Sequence, residues 1–249
     1  MADCVILCSV EALIQSSRAL CRRVERMRFD PPVVCVYNPL RYARDRWEDY
    51  LSRFARSGVE AVLLGMNPGP FGMAQTGVPF GEVAAARDWL GLEGAVKRPA
   101  KEHPARPVLG FDCPRSEVSG RRLWSWAEKR FSSPDRFFER FFVFNYCPLL
   151  FLEQTGRNRT PDKLRSGEQA DLFEACDRAL QQAVDALRPR VVVGIGRFAE
   201  KRAAFALAGH TVRVGGMLHP SPANPRANQS WARQAERQLA ALGISLWAG

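Results

Sequence analysis

Four short apolar runs, at residues 61–66, 141–145, 191–195 and 212–218, constrain this chain more than any other feature of its 249 residues. Each is too short for an ordinary helix, and none alternates as a half-wetted strand does. Continuous apolar runs of this length suit strands buried on both faces, as in a parallel sheet covered by helices. Helical periodicity fills the intervals. In residues 171–187, Leu172, Phe173, Cys176, Leu180, Val184 and Leu187 share one face, and Pro189 stops the run. Residues 230–242 read as a closing helix. Strands alternating with helices predict an α/β three-layer sandwich around a central four-stranded parallel sheet.

Such a sheet takes its ligand beyond the C-terminal ends of its strands. Those ends carry Asn67, Asn145, Gly196 and His219. Three segments there hold the candidate chemistry. Between Gly65 and Gly81, five glycines and three prolines exclude helix or strand interior and make a rigid loop that can approach a ligand closely. Its apolar Met66, Phe71, Met73 and Phe80 are unusual for a plain surface loop. His219, one of only three histidines, opens a proline-stiffened loop that leads through Arg226, Asn228 and Trp231 into the last helix. Asn145 closes a buried strand, so its amide must either tie down backbone or meet a ligand. A fourth pattern, Gly194-x-Gly196-x-x-Ala199, matches a dinucleotide fingerprint. The acid expected about 20 residues later is missing, and we read a tight strand-to-helix turn.

The flanks carry less. Residues 1–30 read as an amphipathic helical extension ahead of a domain at 31–249. Val10, Leu13, Ile14, Leu20 and Val24 lie on its apolar side, and Arg18, Arg22, Arg23 and Arg26 on its polar side. Residues 91–120, rich in Pro and Gly with Lys97, Arg98, Lys101, Arg106 and Arg115, read as a long surface excursion. Lys and Arg together number 36 against 26 acids, a net charge of +10 that suits an anionic partner without requiring one. The seven cysteines form no Cys-x-x-Cys pair. Cys4 and Cys8 stand one turn apart with the others scattered, so reduced thiols are expected rather than a metal site. The apolar stretch at 5–10 is preceded by Asp3 and broken by Glu11, unlike a secretory signal, and the expected location is cytoplasmic, or nuclear in a eukaryote.

Taken together, these segments resemble the single-strand-selective monofunctional uracil-DNA glycosylases, a branch of the uracil-DNA glycosylase superfamily. The likeness runs from Val36-Tyr37-Asn38-Pro39-Leu40 through residues 65–82, Arg87-Asp88-Trp89-Leu90-Gly91, Ser116-Glu117-Val118-Ser119-Gly120 and Gly156-Arg157-Asn158 to the end. Only residues 1 to about 30 fall outside it. The resemblance implies a uracil-DNA glycosylase-like fold and excision of uracil and C5-oxidised uracil, such as 5-hydroxymethyluracil, from single- and double-stranded DNA. It implies Asn67 as holder of the attacking water and His219 as hydrogen-bond partner of the departing base. It also implies Phe80 as the ring stacked on the base, Asn145 as the base-reading amide, and Met66 and Gly69 as pocket lining. Related enzymes that reject thymine carry Tyr where this chain has Gly69, so room beside the base C5 is expected here.

The loop Pro220-Ser221-Pro222-Ala223-Asn224 with Arg226 resembles the wedge that fills the gap left in DNA. Vertebrate members usually have Arg where this chain has Ala223, and a methyl cannot fill a vacated stack as a guanidinium can. Asn158 and Arg226 are the candidates to compensate. No metal or organic cofactor is implied. Three alternatives stay open at this level: a related glycosylase for xanthine or hypoxanthine, a non-catalytic single-strand binder stacking bases on Phe71 and Phe80, and a nicotinamide-dependent oxidoreductase using residues 194–199.

Overall fold

A computed structural model describes residues 2–246, with side chains described from residue 9 onward. Cys4, Cys8 and most of the 5–10 stretch therefore lie outside the described side chains. The chain begins with α1 (Ala2–Glu25), β1 (Val33–Tyr37), α2 (Pro39–Tyr42), α3 (Arg44–Phe54), β2 (Ala61–Gly65) and α4 (Met73–Thr76). It continues with α5 (Val118–Phe131), α6 (Pro134–Phe138), β3 (Phe141–Asn145), β4 (Leu150–Glu153) and β5 (Asn158–Arg159). It closes with α7 (Ser166–Leu187), β6 (Val191–Ile195), α8 (Arg197–Ala206), β7 (Arg213–Met217) and α9 (Pro225–Ala241).

The four apolar runs are the four strands of one parallel sheet, in the order β3-β2-β6-β7. The chain steps from β2 to β3 on one side and crosses to β6 on the other, which puts a crevice beyond the C-terminal end of β2. Successive side chains of β3 face opposite layers. Phe141 packs against Phe131, Phe137 and Trp126 of α5 and α6. Phe142 and Phe144 meet Tyr50 and Trp47 of α3. Helices thus cover both faces, which is why the strands carry no polar alternation.

Several boundaries differ from the sequence reading, each for a local reason. α7 begins at Ser166 rather than 171, because its first turn is polar and capped by Glu168 Oε2 accepting from the Arg165 N–H at 2.9 Å. α9 begins at Pro225 rather than 230. The Asn224 side chain accepts from the Arg226 N–H at 3.1 Å, and Pro225 pre-sets the first helical residue. The helix then kinks at Ser230, where the expected helix started.

A second, antiparallel sheet, β1-β4-β5, was not expected. β5 has only two residues, too few to show a period. Residues 91–120 run mostly over the surface, as expected, but the segment is anchored at several points. Leu92, His103 and Val108 are buried. Tyr37 Oη donates to the Arg106 carbonyl at 2.6 Å and accepts from the His103 N–H at 2.8 Å, tying the segment to β1.

The N-terminal helix is built into the core. Leu13, Leu20, Cys21 and Val24 are buried with residues of α3 and α7. Leu20 faces a small void shared with Trp47, Phe144 and Asn145. Two basic residues of its polar side are paired: Arg18 holds Glu48 through two bonds of 2.7 and 2.8 Å, and Arg23 holds Glu174 at 2.8 Å. The described cysteines Cys21, Cys35, Cys113, Cys147 and Cys176 are free and buried. No described helix is long and apolar enough to cross a membrane.

The position of Leu20 makes a stability prediction. Leu20→Ala is expected to cost about 2–4 kcal/mol, the range for truncating a buried leucine whose site cannot collapse. Urea unfolding measures it, and a loss below about 0.5 kcal/mol, the surface range, would show that α1 does not share the core.

Candidate functional site

The site grows from the register of two strands. Gly65, the last residue of β2, pairs with Asn145, the last of β3. The pairing continues past both ends, with the Tyr146 N–H donating to the Gly65 carbonyl at 3.0 Å and the Cys147 N–H to the Met66 carbonyl at 2.9 Å. Residues 65–67 therefore leave the sheet beside residues 145–147. A Cβ on Gly65 would overlap Asn145 Oδ1 and lie 2.6 Å from Phe80 Cε2. Only glycine lets the amide and the ring meet over this strand end.

The two amides are held differently. Asn67 Nδ2 donates to the Leu149 carbonyl at 3.1 Å, which turns Oδ1 to the other side. Asn145 is buried, and its amide donates only to Met73 Sδ at 3.3 Å among the described residues. A thioether is a weak acceptor. The amide thus reaches the cleft with its hydrogen-bonding capacity largely unused.

Phe80 sits in the left-handed backbone region, with φ +53°. A bulky residue pays strain there, and surrounding structure must hold it. Its carbonyl accepts from Trp124 Nε1 at 3.0 Å and from the Glu82 N–H at 2.7 Å. The neighbouring Thr76 hydroxyl donates to the Gly81 carbonyl at 2.9 Å. Phe71, by contrast, lies under Arg115 and Arg106, whose guanidinium carbons stand 4.3 and 5.3 Å from its ring centre. Its face is already covered.

His219 follows β7 with its ring 6.1 Å from that of Phe80. Burial pushes the imidazole pKa down to about 4, so the ring is neutral at neutral pH. The loop after it is pinned from two sides. Arg122 of α5 donates to the Pro220 carbonyl at 3.1 Å and to Asn228 Oδ1 at 2.8 Å, while Asn228 Nδ2 donates to the Pro222 carbonyl at 2.9 Å.

These elements enclose a cleft of about 350 Å³. Met66, Asn67, Gly69, Phe80, Asn145, His219 and Ser221, all nominated from sequence, line it together. Pro220 is buried beneath the loop, and Pro222, Ala223 and Arg226 are exposed on its rim, with Asn224 capping α9. Asn158 lines the cleft as well.

Glu117 also lines the cleft, and sequence reasoning gave it no role. An acid just before a helix ordinarily reads as a cap, which hid it. It does stand at the start of α5, but its side chain makes no capping bond. The carboxyl turns instead onto Gly69 and Gly72. A Cβ on Gly69 would lie 2.5 Å from Glu117 Oε1, and one on Gly72 would overlap Oε2. Gly69 does not adopt a positive φ, so glycine is needed there for this approach and not for a turn. Oε2 is sealed from solvent without a hydrogen-bond partner. Burial, reinforced by the charge of Glu82, pushes the carboxyl pKa up to about 7. No group of three or more His, Cys, Asp or Glu among the described residues is placed to hold a metal ion.

Comparison with known proteins gives a consistent set of relatives. A sequence profile for the uracil DNA glycosylase superfamily matches residues 52–240. The single-strand selective monofunctional uracil-DNA glycosylases of Rattus norvegicus and Mus musculus are each 48% identical over 236 residues, 94% of this chain and 85% of theirs. That of Bos taurus is 48% identical over 94% of this chain and 87% of its own. A match of 236 residues necessarily reaches into residues 1–30, so the likeness includes part of the segment first placed outside it. The crystal structure of wild-type SMUG2 from Pedobacter heparinus superposes with TM-score 0.66 at 16% identity, covering 94% of this chain and 97% of that one, a likeness of fold.

The half-buried imidazole carries a direct test. An NMR titration of His219 is expected to give a midpoint near 4, well below the ordinary 6.5. The depressed value means that His219 favours the folded state above pH 6.5, and that this contribution is lost as pH falls through about 4. A midpoint at or above 6.5 would show that the ring is solvated or charge-paired instead.

Proposed function

The chain belongs to the uracil DNA glycosylase superfamily, in its single-strand-selective monofunctional branch, and on that premise we propose that the 350 Å³ cleft takes a base flipped out of DNA, with Asn67 and His219 carrying the chemistry. The chain is a monofunctional glycosylase that excises uracil from DNA. What supports the residue assignment is one observation: Asn67, Phe80, Asn145 and His219, far apart in sequence, line the same cleft at the C-terminal mouth of the parallel sheet.

Breaking the N-glycosidic bond puts negative charge on the departing base and positive charge on the sugar. Neutral His219 donates a hydrogen bond to the base O2 that strengthens as charge develops, without a proton transfer. DNA phosphates offset the charge on the sugar. Asn67 is an amide and accepts no proton usefully at neutral pH. With Nδ2 tied to the Leu149 carbonyl, its Oδ1 is left to hold a water. A sugar cation needs only a well-placed nucleophile, so positioning suffices. Among the described residues that line the cleft there is no lysine to form a Schiff base. Asn145 presents a donor and an acceptor side by side to the base O4 and N3–H, and Phe80, held in its strained backbone, stacks on the ring.

The substrate range follows from Gly69. With no side chain at that position, the wall beside the base C5 is made by Met66, Gly69 and the Glu117 carboxyl, and we assign C5-oxidised uracils such as 5-hydroxymethyluracil to the enzyme along with uracil. The rim, with Pro222, Ala223 and Arg226 exposed and Pro220, Ser221 and Asn224 holding the loop's shape, faces DNA in both single and double strands. Ala223 is exposed there and supplies no plug for the vacated stack.

Two variants test the assignment. His219→Leu is expected to lower single-turnover uracil excision by about 10²-fold or more, the scale of losing one preorganised donor. DNA affinity should change little, because phosphate contacts supply most of it. Excision within a few-fold of wild type would remove His219 from the mechanism. Asn145→Asp is expected to shift excision from uracil toward cytosine, because a carboxylate accepts from an exocyclic amine. Paired uracil and cytosine oligonucleotides read it out, and an undiminished uracil rate would end the role of Asn145 as base reader.

A further inference from the structure

We propose that Glu117 is the residue that reads the C5 substituent of the flipped base, its carboxyl forming a polar wall where the thymine-rejecting relatives carry a side chain at position 69. The proposal rests on the cleft being the base pocket, and it deepens that reading by naming the group that meets the substituent.

Three features of the cleft lead there. The carboxyl occupies the space a side chain on Gly69 would enter, with Oε1 2.5 Å from the missing Cβ. The residue lines the cleft together with Met66, Asn67 and Gly69. Its Oε2 is buried and unpartnered, although the start of α5 beside it offers backbone N–H groups that an acid normally caps. An unpartnered carboxyl is costly to keep; Oε2 is sealed against Gly72, and Oε1, beside Gly69 in the cleft lining, is the oxygen a substrate hydroxyl meets.

The protonation state suits the task. A carboxyl held up to about 7 keeps a large protonated fraction at neutral pH, which offers an O–H donor beside a carbonyl acceptor, while the ionised form still accepts. A hydroxymethyl group on C5 can pair with either. A methyl group pairs with neither, so thymine would leave the polar wall unsatisfied. Sites that hydrogen-bond a substrate hydroxyl discriminate against the analogue that lacks it. The Glu117 carboxyl beside Gly69 therefore makes this end of the cleft a polar subsite.

Single-turnover excision from single-stranded oligonucleotides bearing uracil, 5-hydroxymethyluracil or thymine tests this with the full chain. In Glu117→Leu and Glu117→Ala, the ratio of 5-hydroxymethyluracil to uracil excision is expected to fall about tenfold or more. Glu117→Gln, which keeps a donor and an acceptor at nearly the same size, is expected to hold the ratio within about threefold of wild type. Two apolar variants of different volume are used so that misfolding of one leaves the other informative. If Leu and Ala lower both substrates in equal proportion, Glu117 only supports the loop and the proposal is overturned. If wild type excises uracil but not 5-hydroxymethyluracil, the reading of the pocket itself fails and takes the proposal with it. Uracil excision is the control that separates these two failures.

Discussion

The contact over Gly65 is the constraint on which the site depends. Parallel pairing of β2 with β3 puts Gly65 beside Asn145, and the absent side chain lets the Asn145 amide and the Phe80 ring approach the same point. The rest follows outward. The ring reaches that point only from a left-handed backbone, which needs the Trp124 hydrogen bond and the bare Gly120 against the Phe80 carbonyl. Those residues stand on α5, so the helix that covers one face of the sheet also holds the loop above it. A side chain at 65 would separate ring from amide even with every other contact kept.

Burial then sets the electrostatics. The cleft holds two titratable groups, His219 and Glu117, and desolvation moves each toward its neutral form. A site that must accept growing negative charge on a leaving base gains from donors fixed before the reaction starts. A group held neutral in such a site needs no buried counter-ion of its own. The same burial makes the two groups oppose each other in stability. His219 loses its contribution as pH falls through about 4. Glu117 favours folding below 4.5 and loses that contribution as pH rises through about 7.

The basic surface is less free than the net charge of +10 suggests. Arg18, Arg23, Arg140 and Arg202 are engaged by Glu48, Glu174, Glu60 and Asp177. Arg122 is turned inward to pin the loop after His219. Much of the positive charge therefore organises the protein itself, and the charge count alone says little about where DNA lies. Arg106 and Arg115 cover Phe71, which removes that ring as a ready stacking platform for a single-strand binder. The oxidoreductase alternative weakens for a different reason: a Cβ on Gly194 would overlap the α8 backbone at Glu200, so this glycine serves the packing of α8 on β6.

The four central strands were legible because burial on both faces leaves a continuous apolar run, a signal carried by adjacent residues. The same holds for the glycine- and proline-rich loop and for the histidine at a strand end. Their composition excludes regular structure locally, and the strand-end rule says where a ligand goes. The sequence also carried the family likeness, through motifs that are contiguous. It did not reveal the small antiparallel sheet, the anchoring of residues 91–120 through Leu92, His103 and Val108 or the docking of α1, because those depend on partners distant in the chain. Glu117 is the sharpest case. By sequence it is an acid before a helix; only the folded chain turns its carboxyl onto Gly69 and Gly72 and strips Oε2 of water. Local pattern determined which residues could form strands and loops, and tertiary packing decided which polar groups lost their solvent, since desolvation belongs to the enclosing neighbours and not to the residue itself.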